Sequence, residues 1–146
     1  MMLDGSGGEF QFYVNNEKIY LNGTNWKPLD ALHSRADEKV ERALDLAYDL
    51  NCNMIRVWGG GIYEDTPFFD YCDRRGILIW QDFSMACGHY PQNEAFCKQI
   101  YREAESVIRT LRHHPSIILW SGDNECDEML FGMGAKPSQN RLTREV

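Results

Sequence analysis

Four short apolar runs recur along the chain: Ile19-Tyr20-Leu21, Met54-Ile55-Arg56-Val57-Trp58, Ile77-Leu78-Ile79-Trp80 and Ile117-Ile118-Leu119-Trp120. Their largely unbroken apolar character reads as strands buried on both faces. The stretches between them carry helical periodicity. Asp37 can cap a helix in which Val40, Ala43, Leu44, Ala47 and Leu50 share a face. Asp65-Thr66-Pro67 opens a second, with Phe68, Phe69 and Cys72 on its apolar side and Gly76 where it would stop. A third spans about Asn93 to His113, lined by Phe96, Ile100, Ala104, Val107, Ile108 and Leu111. Buried strands that alternate with helices require a parallel sheet joined by right-handed crossovers. Either an open doubly wound sheet or a (β/α)8 barrel can be built in that order.

The polar residues at the strand ends separate these two. Asn25 and Trp26, Arg56 and Trp58, Gln81 and Asp82, and Asn124 and Glu125 each follow a strand. In a barrel all strands end on one rim, so these groups converge; in a doubly wound sheet only those at the switch point do. No Gly-x-Gly-x-x-Gly follows the first strand, and Gly59-Gly60-Gly61 lacks the Lys-Ser/Thr of a phosphate loop, so it reads as a tight turn. The expectation is an α/β fold, a TIM (β/α)8 barrel present in part. A whole barrel takes about 250 residues, and these 146 residues supply about the first four β/α units. Residues 1–9 read as a disordered leader. A small hairpin around Asn15-Asn16 follows, residues 10–131 form the half barrel, and 132–146 read as a mobile tail.

Composition narrows the partners. A formal net charge of -7 disfavours nucleic acid, whose phosphates need a basic surface. No run of about 18 apolar residues is present, so no membrane span is expected. The five cysteines are odd in number and form no Cys-x-x-Cys, which disfavours a disulfide framework or a metal site. With no basic-then-apolar leader at the start, a reducing, cytoplasmic setting is expected. No cofactor is expected.

Glu125 follows the fourth strand in Ser121-Gly122-Asp123-Asn124-Glu125. A carboxylate beside an amide at a strand end is a candidate proton donor; the alternative is an ordinary loop acid or a cap for the next helix. Trp26 and Trp58 offer flat faces on which a sugar could stack. Arg56 needs a carboxylate partner if buried. Asp82 can accept hydrogen bonds from sugar hydroxyls or merely cap its loop.

Four segments carry a resemblance: Asn22-Gly23-Thr24-Asn25-Trp26, the run Asn53 to Glu64 containing Arg56-Val57-Trp58-Gly59-Gly60-Gly61, Gly76-Ile77-Leu78-Ile79-Trp80-Gln81-Asp82-Phe83, and Trp120-Ser121-Gly122-Asp123-Asn124-Glu125. In this order they resemble the catalytic barrel of glycoside hydrolase family 2, and within it the β-mannosidase branch. The resemblance implies a retaining exo-glycosidase that removes terminal β-linked sugars from oligosaccharides or glycoconjugates. Glu125 would be its general acid/base, and Asn124 would bind the sugar 2-hydroxyl. Trp26, Arg56, Trp58 and Asp82 would line the substrate site, with Arg56 paired to the nucleophile. Alternatives are a β-galactosidase, β-glucuronidase or exo-β-glucosaminidase, or a non-catalytic carbohydrate-binding module. Asp123 stands where the mannosidase branch often has Asn. The resemblance places the nucleophile on a later strand, beyond Val146, so its partners include the remaining barrel half and the family's β-sandwich domains. It further implies that these residues alone do not turn over glycosides, and that the first and fourth strands leave open edges.

Overall fold

The computed structural model describes residues 2–4, 11–134, 136 and 142. An antiparallel sheet opens the chain: β1 (Met2–Asp4), β2 (Gln11–Val14) and β3 (Glu17–Ile19), in that order. The β2–β3 hairpin turns on Asn15 and Asn16, with φ of 51° and 66°, the left-handed conformation that asparagine tolerates best after glycine. β1 falls inside the stretch expected to be a disordered leader. It is ordered because β2 would otherwise present an open ladder edge, and Met2 and Leu3 pair in register with Tyr13 and Phe12. The other leader residues lie outside the described ones.

A parallel sheet follows, built of β4 (Gly23–Trp26), β5 (Met54–Val57), β6 (Leu78–Asp82) and β7 (Ile117–Ser121). The crossovers are α1 (Asp37–Asp49), α2 (Thr66–Arg75) and α3 (Glu94–Leu111). Spatial order equals sequence order, β4-β5-β6-β7. A doubly wound sheet reverses direction at its switch point; a barrel adds each strand beside the last. The sheet is thus the first half of a TIM barrel, and among the described residues β4 and β7 each have a strand neighbour on one side only.

The first parallel strand lies later than the apolar run Ile19-Tyr20-Leu21 predicts. Tyr20 is 87% exposed, and its carbonyl accepts a 2.7 Å bond from the Asn53 amide. Asn53 also accepts from the Asn22 N–H at 2.8 Å. Polar clamps, not burial, hold this link, and the sheet begins at Gly23, where a Cβ would sit 2.7 Å from the Met54 carbonyl oxygen. β7 also differs from expectation: it is half-buried along its length, because it is an edge strand.

Local signals set most helix ends. Asn93 Oδ1 accepts the Phe96 N–H at 3.0 Å at the start of α3. Pro67 sits in the first turn of α2, and Gly76 ends it in the left-handed conformation at φ 69°. At α1, Asp37 is the first helical residue rather than the cap, since a 3-10 turn over His33–Arg35 delivers Ala36 already in helical conformation. A short helix, α4 (Cys126–Gly132), follows Glu125.

Leu44, Ile55, Val57, Phe68, Phe69, Cys72, Ile77 and Ile79 form the core between the parallel sheet and its helices. Ile55, Val57 and Ile79 face the helices, so Arg56 and Trp80, one residue out of phase, face the other side. A second cluster joins Met85, Cys97, Ile100, Cys126 and Leu142. Leu142 belongs to the stretch expected to be a mobile tail, yet it is 4% exposed, because this apolar cluster holds it; Gly132 still belongs to α4. Most of that stretch lies outside the described residues.

Candidate active site

Arg56, Asp82, Asn124 and Glu125 meet at the carboxyl ends of β5, β6 and β7. Arg56 pairs in register with Trp80, so Asp82 lies two residues further along the same face of the neighbouring strand, within reach of a guanidinium. Arg56 Nε and Nη2 donate to Asp82 Oδ1 and Oδ2 at 3.2 and 2.6 Å. Asp82 Oδ2 also accepts the Gly59 N–H at 3.1 Å. Its side chain is 0% exposed, against 23% for Arg56. Burial of a carboxylate requires such complete pairing.

Asp82, within the same half of the barrel, is thus a carboxylate partner of Arg56. Asp82, expected to accept from a sugar hydroxyl, has both oxygens engaged and no exposure here, and it orients the arginine.

Arg56 Nη2 donates further, to Asn124 Oδ1 at 2.9 Å. This bond assigns the amide orientation: the oxygen faces the guanidinium, and Nδ2 points away from it. Nδ2 donates to Cys87 Sγ at 3.2 Å, and the Cys87 thiol donates to Glu125 Oε2 at 3.2 Å. The backbones are clasped as well. Asn124 N–H donates to the Met85 carbonyl at 2.9 Å, and Cys87 N–H to the Asn124 carbonyl at 2.8 Å. Cys87 and Glu125 both have positive φ, 46° and 59°, a conformation that side-chain-bearing residues adopt at some cost. The Glu125 carboxylate, through its hydrogen bond above all, pushes the Cys87 thiol above its ordinary pKa. Both residues are exposed, Asn124 is buried, and Asp123 Oδ1 accepts the Cys126 N–H, the first of α4, at 3.1 Å.

The two tryptophans divide. Trp58 is half-buried at the rim, with the Lys27 ammonium 4.7 Å from its ring centroid and Gly60 so close that a Cβ would lie 2.0 Å from the ring. Trp26 does not join the site. Its register partner is Val57, which faces the helices, so Trp26 faces them too. It is 6% exposed, lies 5.0 Å from the Phe68 ring and donates its indole N–H to Glu64 Oε1 at 2.8 Å. The residue of β4 on the cleft side is Asn25, paired with Arg56.

Behind the rim, the Tyr63 hydroxyl donates to Glu103 at 2.8 Å and accepts the Ser84 N–H at 2.9 Å, while Ser84 Oγ also donates to Glu103. Burial raises the Tyr63 phenol to about 12, so it stays neutral. These bonds tie the loops after β5 and β6 to α3. Loop 84–92, which carries Cys87, starts from this anchor.

Comparison with known sequences gives the family. The profile for glycosyl hydrolases family 2, TIM barrel domain, matches residues 8–142. The chain belongs to glycosyl hydrolase family 2. A "Beta-mannosidase B" of Thermothelomyces thermophilus is 48% identical over 127 residues, covering 84% of this chain and 15% of that protein. A "Beta-mannosidase" of Capra hircus is 45% identical over 126 residues, covering 86% and 14%. Among solved structures, the β-D-mannosidase of Dictyoglomus thermophilum superposes with a TM-score of 0.77 at 45% identity, covering 84% of this chain and 15% of that one. A β-glucuronidase of Bacteroides uniformis reaches 0.70 at 27%, covering 79% and 15%. The family 2 chain thus spans about 15% of the length of the mannosidase relatives.

Within this family 2 half barrel, sequence reasoning gave no role to Cys87, Glu64, Tyr63 or Glu103. Glu64 had a signal, as the last residue of the motif that begins at Asn53. Cys87 had none, since its position depends on the parallel bridge between Ala86 and Asn124, 38 residues apart in sequence.

Proposed function

We propose that these residues form the acid/base half of the catalytic barrel of a retaining exo-β-mannosidase. The observation that carries the reading is the Glu125 carboxylate, exposed on the rim beside an Asn124 amide that Arg56 holds in one orientation. In this reading Glu125 protonates the glycosidic oxygen as the bond to the leaving group breaks. It then takes a proton from the water that hydrolyses the glycosyl–enzyme intermediate. Asn124 Nδ2 has two N–H groups, and Cys87 takes one. The other is free to donate to the sugar 2-hydroxyl oxygen, which would fix the sugar at the rim beside Glu125. Trp58 is the rim aromatic placed to meet a sugar face.

Retention requires a second carboxylate about 5 Å from the first. We assign it to the barrel half that completes β4 and β7, in keeping with relatives about seven times longer. That half, and any flanking domains, are the principal partners, and an oligosaccharide or other glycoside is the substrate. The named mannosidases at 45–48% identity favour mannose over the glucuronide handled by neighbours at 27%. No helix among the described residues is long and apolar enough to cross a membrane. All five cysteines are free, which suits the proposed reducing, cytoplasmic setting.

The test uses the full-length polypeptide that carries this segment. Glu125→Gln is expected to lower kcat/KM on 4-nitrophenyl β-mannoside by about 10²–10⁴, to spare binding, and to lose less on a 2,4-dinitrophenyl glycoside, whose leaving group needs no proton. Equal kcat/KM in Glu125→Gln and wild type would sink the assignment.

A further inference from the structure

The donors at the site run in one direction. Arg56 donates to the Asn124 oxygen at 2.9 Å, the Asn124 amide donates to Cys87 Sγ at 3.2 Å, and the Cys87 thiol donates to Glu125 Oε2 at 3.2 Å. A fixed cation stands at the head of this chain and the candidate proton donor at its foot. The first link is anchored by Asp82, so the guanidinium cannot swing away. Two backbone bonds, at 2.9 and 2.8 Å, hold loop 84–92 to the residue preceding Glu125. Cys87 adopts a φ of 46° to bring its side chain there, a conformation that cysteine has no intrinsic reason to choose.

A thiol suits this place better than a hydroxyl. Sulfur is larger, and the longer C–S bond lets one side chain span from the amide to the carboxylate. The thiol is also a weak acid, kept protonated here by its carboxylate neighbour, so it donates at neutral pH without competing for the proton that Glu125 must deliver. A carboxylic acid carries its proton on one oxygen. If Oε2 accepts from Cys87, the proton resides on Oε1.

We propose that Cys87 is a positioning residue for Glu125, holding Oε2 so that Oε1 is the oxygen that carries the proton and faces the glycosidic bond. The proposal rests on the reading of Glu125 as acid/base, and it assigns Cys87 no contact with substrate. The requirement is for a donor of the right reach, so Ala removes the effect and Ser restores part of it.

The experiment compares wild type, Cys87→Ala and Cys87→Ser in the full-length enzyme, on one β-mannoside with a poor leaving group and on the 2,4-dinitrophenyl glycoside. For Cys87→Ala the expected result is a fall of about tenfold in kcat/KM on the first substrate, with the second within about twofold, because only the first needs a well-aimed proton. Cys87→Ser is expected between the two. The pH profile of kcat/KM on the first substrate should shift its basic limb in Cys87→Ala, since the limb reports the acid form of Glu125. A matching fall on both substrates with an unmoved limb is the signature of a merely structural residue and overturns the proposal. So does full activity of Cys87→Ala on both. A wild-type enzyme that hydrolyses neither substrate overturns the acid/base reading instead. The contact itself is read separately by alkylating Cys87 with iodoacetamide and mapping the peptide. Glu125→Gln should move the alkylation profile to lower pH, and an unmoved profile removes the thiol–carboxylate bond from the site.

Discussion

Replacing Arg56 by Met should cost more stability than replacing Asp82 by Asn, although each removes one partner of the same ion pair. The reason is the difference in solvent access, 23% for the arginine side chain against 0% for the aspartate. In Arg56→Met, Asp82 keeps only the Gly59 N–H and remains an uncompensated charge with no water beside it. It loses two charge-assisted hydrogen bonds, at 3.2 and 2.6 Å, each worth about 1.5–3 kcal/mol. Breaking a buried pair costs about 3–5 kcal/mol in total, which sets the expected loss near 4 kcal/mol. In Asp82→Asn, the guanidinium keeps its bond to Asn124 and can recruit water through its open side, while the Asn oxygen can still accept. About 2 kcal/mol is expected there. Urea unfolding followed by tryptophan fluorescence reads both numbers, provided the slope of the transition is unchanged between variants. The reasoning is refuted if Arg56→Met loses less than about 1 kcal/mol, or if Asp82→Asn is the more damaging of the two.

Two further outcomes follow from the packing. At Gly59 a Cβ would lie 2.5 and 2.8 Å from the carbonyl oxygens of Phe83 and Met85, so Gly59→Ala must displace backbone and should cost about 1–3 kcal/mol, read by the same unfolding assay. Burial raises the Asp73 carboxyl, but its bonds to Ser116 and His114 outweigh this and hold it below the usual carboxylate range. A depressed carboxylate contributes stability that is full above its unfolded value, about 3.9, and is lost as pH falls through the lower folded value. Asp73→Asn should therefore be less stable than wild type at pH 6 and should show a shallower loss of stability below about pH 4. Parallel acid titrations of the two proteins by circular dichroism would contradict this.

Much of the architecture was legible because its signals are local. Asn93, Pro67 and Gly76 act within one turn of the helices they bound, and the apolar runs at residues 54–58, 77–80 and 117–120 became parallel strands. Parallel pairing itself follows from the helices between them. The first strand escaped this logic. Ile19-Tyr20-Leu21 has the composition of a buried strand, yet its backbone is held by Asn53, while the polar Gly23–Trp26 enters the sheet. Composition reports what a segment can bury, and neighbours decide whether it does so.

By itself, then, the sequence determined the alternation of strand and helix, the convergence of polar residues on one rim and the candidacy of Glu125. Only the tertiary structure decided which way those residues point and whom they meet. Trp26 turned out to be core because the β4–β5 register puts it beside Val57. Asp82 became the partner of Arg56, and Cys87 the link from Asn124 to Glu125. These contacts join residues 26 to 38 positions apart on different strands and loops. Helical and strand periodicities carry no information over such distances, so the register of the sheet has to be formed before the partners exist.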